Sequence, residues 1–360
     1  MSQTRIRYYT RFLPSLERGG GSRRMLQICE ALDSAALEVI SEPRGDLQDG
    51  PEPAVGHPFL DSWATGRRKA VQRLYAAAEK WVGVMQASGA CDLAVVDDPI
   101  YFPPLMDALE ESGTPILAVC HNIESLVPSQ YAAGAGMRLL ERELSLLRRC
   151  RGVVTISREE TAILTNLGIR AWFTPYFPPD PIARRLLRIR RKRRWKRKSG
   201  YLLLGTAFNP ETVSGMKKIM DLWLSRGMAG SAGMLHVAGF RTEKHFPRGE
   251  RNGVIVHGTM DDDALDELLV GTRACIAHQD AGAGALTRLV EMNLAGIPVL
   301  ANPHAARTHY GLAGLHEYRD LEELRRMLRK RRHFSVPAHP PAKPSLPAHV
   351  ERYLEKGSWS

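Results

Sequence analysis

The sequence lacks the long apolar runs and paired cysteines that would place it in a membrane or in an oxidising compartment. No stretch approaches the roughly 18 apolar residues that a membrane-spanning helix needs. The five cysteines lie far apart, without the spacing of a zinc or disulfide-exchange motif. The first residues mix charge and tyrosine where a secretory signal carries an apolar block. We therefore expect a cytoplasmic chain with buried thiols, no disulfides and no metal.

Acidic residues are missing from one stretch, and this explains the net charge of +11. Residues 184 to 198, which we call the basic segment, contain eleven Lys or Arg and no Asp or Glu, whereas the rest of the chain has 39 basic and 39 acidic residues. Leu186, Leu187, Ile189 and Trp195 give it some amphipathic character. The segment could lie on an anionic membrane, meet a polyanionic acceptor or RNA, or form a solvated linker.

What the chain does contain is a regular alternation of short apolar runs with helix-period segments, which is typical of helices covering a parallel sheet. The runs predict strands at 5–13, 37–42, 92–98, 115–121, 152–157 and 171–176, and then at 201–208, 233–240, 253–258, 273–278 and 297–302. We expect an α/β protein with two Rossmann-like domains facing across a cleft. The expected parts are an N-terminal domain over 1–180, a polybasic linker over 181–199, a second domain over 200–336, and a proline-rich segment with a closing helix over 337–360 that returns to the first domain.

The stretch "DAGAGALTRLVEMNLAGIPVLAN" (280–302) concentrates several signals. Leu286, Leu289, Val290, Asn293 and Leu294 have the spacing of a helix with one buried stripe, while Thr287, Arg288 and Glu291 share another face. The small residues before it leave the first turn open to an anion. A phosphate would fit there, with Arg288 adding charge and Glu291 accepting from a ribose diol. The plainer interpretation is a solvated Arg–Glu pair after a packing turn.

Other motifs follow in an order that resembles the retaining GT-B glycosyltransferases of the family 4 type. They are "RGGGSRRMLQICEAL", "AVCHNIESL", "RRCRGVVTISREETAIL", "LLLGTAFNPETVSGMKKIMDLW", "HVAG" and "VIVHGTMDDDALDELL". Nearly the whole chain is covered, although each motif alone is weak. The resemblance implies transfer from a nucleotide-diphosphate sugar with retained configuration and without a metal. No other cofactor is implied.

The resemblance also implies roles for particular residues. Glu291 would hold the ribose, and Gly282, Gly284 and Arg288 would face the diphosphate and sugar. Gly20 and Gly21 would let backbone approach the donor phosphates, and His121 would touch the donor sugar. We take His121 and Arg288 as candidate catalytic residues. The other candidate substrate-binding residues are Gly20, Gly21, Gly205, Lys217, Gly282, Gly284, Thr287 and Glu291.

Two departures from the common family pattern bear on these roles. Ala283 stands where the common signature has a second Glu, as in a subset of the family, so sugar recognition cannot be copied from the common type. Gly205 is followed by Thr206 instead of an Arg, and the first lysines after it are Lys217 and Lys218. The diphosphate clamp therefore differs from that of many relatives.

Two features of the first half have local interpretations as well. Ser22 could cap the helix after the glycines. His121 ends an apolar strand, where open α/β sheets present ligand-facing groups, and the alternative is a hydrogen-bonded structural histidine. Asp97 and Asp98 are explained by a strand-end turn.

Three functions share this pattern. The one we expect is a glycosyltransferase with an unidentified acceptor of the lipid-linked or polysaccharide kind, and for such an enzyme we favour a membrane surface for the basic segment. The second is an inactive GT-B-like scaffold that binds anionic membrane or nucleic acid through 184–198. A nucleotide-sugar 2-epimerase ranks lower because no convincing set of carboxylate acid and base residues is seen.

Overall fold

The computed structural model describes most of the chain. Described are residues 4–11, 13–16, 19–32, 36–41, 58–87, 89, 91–127, 131–207, 209–225, 228–330, 333–345 and 347–356. The chain divides into two compact units. Unit 1 comprises Met1–Tyr176, Ala283–Ala285 and Pro344–Ser360, and unit 2 comprises Phe177–Gly282 and Leu286–Lys343.

Unit 1 is built on a six-stranded parallel sheet in the order β2-β1-β3-β4-β5-β6. Its strands are β1 Arg5–Thr10, β2 Ala36–Ser41, β3 Leu93–Asp97, β4 Ile116–Cys120, β5 Gly152–Thr155 and β6 Ala171–Phe173. Its helices are α1 Gly20–Ala31, α2 Pro58–Asp61, α3 Thr65–Ala87, α4 Pro103–Glu111, α5 Gly136–Arg148 and α6 Arg158–Asn166, with α14 Ala348–Lys356. Strands β3 and β4 are buried throughout, as parallel strands covered on both faces are.

Helix α14 closes unit 1. Val350 and Tyr353 lie in the same apolar cluster as Ile6 and Val95. The Tyr353 hydroxyl donates to the backbone oxygen of Asp92 at 2.6 Å. The last described helix is therefore a packed part of this unit.

Unit 2 is built on a seven-stranded sheet in the order β13-β12-β11-β7-β8-β10-β9, with only the β9–β10 pair antiparallel among its described strands. Its strands are β7 Tyr201–Leu204, β8 Leu235–Ala238, β9 Gly249–Arg251, β10 Val254–Gly258, β11 Ala274–Ala277, β12 Val299–Ala301 and β13 Leu315–Glu317. Its helices are α7 Asp180–Lys192, α8 Pro210–Ser225, α9 Met228–Ala232, α10 Asp262–Gly271, α11 Thr287–Leu294, α12 Pro303–Ala306 and α13 Leu321–Arg329.

The α/β fold class expected from the sequence is confirmed, and all eleven predicted strands are present. Predicted strand residues 12, 42 and 208 lie outside the described residues. The sequence did not predict strands β9 and β13. Each has only three residues, all exposed or half-buried, which is too short to show an alternation of apolar and polar residues. None of the described helices is long and apolar enough to cross a membrane.

The basic segment differs from the expected linker. Its first half belongs to α7, whose Ile182, Ala183, Leu186 and Ile189 are buried within unit 2. Apolar residues at helical spacing give α7 an inner face, and burial of that face outweighs the cost of bringing so many cations together.

Each sheet has a point where the order of its strands reverses, and there the carboxyl ends of neighbouring strands open toward a ligand. In unit 1 this point lies between β1 and β3, and in unit 2 between β7 and β11. These two sheet edges hold most of the candidate residues.

Candidate functional site

In unit 2 the site is formed by the turn after β11 and the start of α11. The helix begins after Leu286, whose apolar side chain makes no capping hydrogen bond, so no side chain at the N-cap competes for the first-turn N–H groups. Gly282 and Gly284 have φ values of 143° and 64°, which other residues rarely adopt. The predicted helix over "ALTRLVEMNLAG" is confirmed, and it starts at Thr287.

Arg288 is the most unusual residue of this turn. Its Nε atom is buried without a hydrogen-bond partner among the described residues, and no described carboxylate forms an ion pair with it. Burial lowers its pKa. One guanidinium nitrogen lies 3.0 Å from where a Cβ on Gly205 would be, so the cation sits at the end of β7. The side chain as a whole is half-buried, and a partly desolvated cation without a counter-charge is costly unless an anion joins it.

Glu291 corrects one sequence inference. The sequence predicts that Glu291 faces away from the apolar stripe of the helix. Its side chain is nevertheless only 6% exposed, because α11 is buried on more than one of its faces. Arg288 and Glu291 form no ion pair with each other, so the solvated pair that their spacing also allows is absent from these described residues.

A polar network that sequence reasoning missed supports the turn from behind. Gln279 donates its backbone N–H to Asn302 Oδ1 at 3.0 Å, and Asn302 Nδ2 donates back to the Gln279 backbone oxygen at 2.6 Å. Arg307 donates to Gln279 Oε1 at 2.7 Å, and its other terminal nitrogen lies 2.9 Å from where a Cβ on Gly282 would be. A second guanidinium thus borders Gly282.

The two lysines that follow β7 differ in their contacts with this turn. Lys217 is exposed on α8, and its neighbour Lys218 forms an ion pair with Asp280 at 2.6 Å, which fixes the start of the turn. The structure brings Gly205, Arg288 and the first turn of α11 together, whereas Lys217 has no described contact with them.

In unit 1 a charged cluster lies at the ends of β1, β3 and β4. His121 Nε2 is 2.7 Å from Asp97 Oδ1, and the His121 backbone N–H donates to Asp98 Oδ1 at 2.8 Å. Arg11 forms an ion pair with Asp98 at 2.8 Å. The two aspartates that sequence reasoning assigned to a turn therefore hold His121 in place.

The electrostatics of this cluster favour a charged imidazole. Burial alone would lower the pKa of His121, but the Asp97 and Asp98 charges outweigh it, and the pKa is raised. Asp97, Asp98 and His121 offer ligand atoms within 4.8 Å of one another, as a metal site would. Arg11 already balances these carboxylates, so the donor set fits an internal ion pair better than a cation site.

The glycines of α1 lie beside this cluster. Helix α1 starts at Gly20, so Gly20 and Gly21 form its first turn rather than a preceding loop. A Cβ on Gly21 would be 3.7 Å from His121 Nδ1. The prediction that Ser22 caps this helix is wrong. Its hydroxyl is hydrogen-bonded to the backbone of Ser15, because Gly19 occupies the cap position.

Residues 283–285 belong to unit 1, and Glu160 holds them there. Glu160 Oε1 accepts from the backbone N–H groups of Gly284 and Ile123, each at 3.0 Å. A Cβ on Gly284 would be 2.3 Å from Asn122 Oδ1 and 2.4 Å from the His121 backbone oxygen. Close packing against these atoms explains why a glycine stands at position 284. The predicted contact of Gly284 with a donor stays a proposal. Glu160 had no sequence signal, since its partners are distant along the chain.

Solved enzymes share this fold over almost the whole chain. The catalytic domain of starch synthase IV from Arabidopsis thaliana, bound to ADP and acarbose, has a TM-score of 0.59 at 10% identity, with 92% of each chain covered. Sucrose-phosphate synthase from Thermosynechococcus elongatus has a TM-score of 0.61 at 15% identity, covering 99% of this chain and 91% of its own. HepE from Anabaena, in complex with UDP-glucose, has a TM-score of 0.59 at 14% identity, covering 90% and 88%.

No family model and no curated protein matches the chain. The similarity to these structures therefore concerns the fold alone. The two synthases are GT-B glycosyltransferases, and their two-sheet architecture is the one that this chain adopts. The chain has the GT-B fold.

Proposed function

We propose that the protein is a retaining, metal-independent glycosyltransferase that moves a sugar from a nucleotide-diphosphate sugar to an acceptor. The observation that carries the proposal is Arg288, a half-buried cation at the ligand-facing edge of the unit 2 sheet, whose Nε is buried and which has no described counter-charge. The fold supports it, because GT-B neighbours were solved with ADP, UDP or UDP-glucose.

In this proposal Arg288 neutralises the diphosphate. When the bond between the anomeric carbon and the diphosphate breaks, negative charge grows on the departing oxygen, and a preorganised guanidinium stabilises that charge. The first-turn N–H groups of α11 add to the effect, with Thr287 at the first helical position. A fixed cation at this place is the reason to propose that no metal is needed.

Glu291 would accept hydrogen bonds from the ribose diol. Gly205 and Gly282 would let the donor approach the backbone, since each has a guanidinium beside its Cα. Lys217, exposed on α8, would reach the outer phosphate, and Gly284 would line the turn.

His121 would contact the donor sugar, and Asp97 would position it. Its Nε2 is taken by Asp97, which leaves Nδ1 facing the first turn of α1 at Gly21. Gly20 and Gly21 would let a phosphate approach that turn. A charged imidazole there would offset negative charge on the donor.

The acceptor belongs to the same proposal. A lipid-linked or polysaccharide acceptor, a cytoplasmic location with peripheral attachment to a membrane, and a family 4 relationship all follow from the sequence resemblance. Nucleic acid ranks below these as a partner.

The test is release of nucleoside diphosphate from a panel of UDP-, GDP- and ADP-sugars by the full chain. We expect one donor to be hydrolysed slowly and Arg288→Gln to reduce this at least about hundredfold. Arg251→Gln, an exposed arginine of β9, is the matched control and should leave the rate unchanged.

The other functions appear as distinct outcomes. Conversion of a donor into its 2-epimer would identify the epimerase. An intact panel, with no binding of any nucleoside diphosphate in calorimetry, would leave the inactive scaffold and overturn the transferase proposal.

A further inference from the structure

The eleven cations of the basic segment fall into two groups. Three arginines point inward and are used by unit 2 itself. Arg185 forms ion pairs with Asp262 and Asp266, both at 2.6 Å. Arg190 donates to the Asn293 backbone oxygen at 2.9 Å.

Arg193 is the most buried of these three arginines. It is buried, and it donates to backbone oxygens that include those of Val270 and Thr272 at the end of α10, at 3.1 and 2.7 Å. It also donates to the Gly296 oxygen at the end of α11 at 3.0 Å. A cation at the carboxyl ends of two helices is favourable because unpaired carbonyls and the helix dipoles meet it there. These three arginines explain why a helix can be so basic, but not why eight further cations follow.

The remaining eight cations are all exposed. They are Arg184, Arg188, Arg191, Lys192, Arg194, Lys196, Arg197 and Lys198. Arg184, Arg188 and Arg191 recur at helical spacing along the outer side of α7, opposite its buried apolar residues. Trp195 lies in the turn that follows the helix. No ion pair with a described carboxylate is seen for any of the eight.

The exposed surface of the basic segment also carries an aromatic side chain, Trp195. Its side chain is 90% exposed, the most exposed of the large apolar side chains that the structure describes. An indole gains little from full exposure to water, and it is favoured at membrane interfaces, where its ring meets lipid and its N–H meets headgroups. Cations around it would meet anionic headgroups.

We propose that the exposed cations of the basic segment and Trp195 dock on an anionic phospholipid bilayer, with the indole in the headgroup region. This does not depend on the transferase proposal. RNA fits the surface less well, because the segment has one aromatic side chain where single strands are usually bound by several stacking residues, and it has no Asn or Gln to contact base edges.

The test is flotation of the full chain with phosphatidylcholine vesicles that contain or lack one quarter phosphatidylglycerol. We expect binding only to the anionic vesicles, lost as salt is raised. Arg188→Glu/Arg191→Glu/Arg194→Glu should weaken it by roughly a hundredfold, since each cation near an anionic surface contributes about fivefold. Lys69→Glu/Arg73→Glu/Lys80→Glu, with the same charge change on exposed residues of α3, is the matched control and should bind as the native chain does.

Trp195 is tested separately. Lipids brominated near the headgroup should quench part of the fluorescence of the native chain but not that part in Trp195→Phe. Melting temperatures of all variants report on folding, and each should be unchanged because the substituted side chains are exposed.

Three results would overturn the proposal. Equal loss with the α3 control would show a net-charge effect only. Binding to neutral vesicles would show that charge is not the recognised feature. Tight binding of polyuridylate with no binding to anionic vesicles would assign the surface to nucleic acid. None of these readouts uses a sugar nucleotide, so failure here leaves the transferase proposal untouched.

Discussion

Two half-buried arginines, Arg11 in unit 1 and Arg288 in unit 2, stand at equivalent edges of their sheets and have opposite surroundings. Arg11 in unit 1 has carboxylates at 2.8 and 3.7 Å, and although burial lowers its pKa, the Asp98 charge and others outweigh this and raise it. Arg288 in unit 2 has no described carboxylate, and burial lowers its pKa. A desolvated cation with an internal counter-charge is part of the fold, and so is one surrounded by backbone oxygens, as Arg193 is. Arg288 has neither among the described residues, which suits it to an anionic ligand.

The largest effect expected from this difference is on folding of unit 1. Arg11→Gln should destabilise it by about 3–5 kcal/mol, because Asp97 and Asp98 would keep their burial and retain only the His121 imidazole as a neighbouring cation. Urea unfolding of the full chain, with hydrogen exchange in peptides of unit 1, measures this. If the free energy of unfolding of unit 1 falls by less than about 1 kcal/mol, Arg11 is not needed to stabilise the fold.

The next effect is on binding in unit 2. Arg288→Gln should weaken the preferred nucleoside diphosphate by about 2–3 kcal/mol, or roughly hundredfold, since a charge-assisted contact to phosphate is lost. Its melting temperature should stay the same or rise, because a partly desolvated charge without a counter-charge is removed. Calorimetric titration and thermal unfolding check both. Loss of stability with unchanged affinity would make Arg288 structural, like Arg11.

Glu291 gives a smaller and more specific effect. Glu291→Gln should weaken nucleotide about tenfold, since an amide retains one acceptor oxygen for the ribose diol. Because Glu291 is buried, Ala would also leave a cavity, so Gln is the cleaner variant. Comparing a nucleoside diphosphate with its 2′,3′-dideoxy form sharpens the test. If both forms weaken equally, Glu291 does not contact the diol.

The smallest expected effect is an opposite pH dependence of the two units. His121 has a raised pKa, so its contribution to unit 1 is complete below about pH 6.5 and is lost as pH rises through the higher folded value. His236 and His257 in unit 2 face each other at 3.0 Å. Burial lowers both pKa values, so their contribution is lost as pH falls below about 6.5.

Hydrogen exchange corrected for intrinsic rates, at pH 5.5 and 8, measures this in each unit. Asp97→Asn should flatten the dependence of unit 1, and His257→Gln that of unit 2. A change of the same sign in both units would contradict the interpretation of these histidines.

Much of the fold could be predicted because local patterns encode it. Buried parallel strands such as β3 and β4 are continuous apolar runs, and α11 has a helical period ended by Gly296. The same patterns located His121, which ends an apolar strand, and Arg288, which lies on a helix that follows a turn of small residues. Asp97 was assigned to a turn because a strand-end position has that simpler explanation. Arg11 and Glu160 gave no signal, because their partners lie from 37 to 124 residues away along the chain.

The sequence by itself determined the two α/β halves, the strands in each, and the concentration of charge in residues 184 to 198, since these depend on neighbours along the chain. Only the tertiary structure decided which charges have partners. Arg193 and Arg194 are adjacent and alike in sequence, yet one is buried against helix ends and the other is exposed. Burial, counter-charge and hydrogen bonds to backbone oxygens are set by contacts between distant residues, and together they distinguish the cations of the fold from those suited to a ligand.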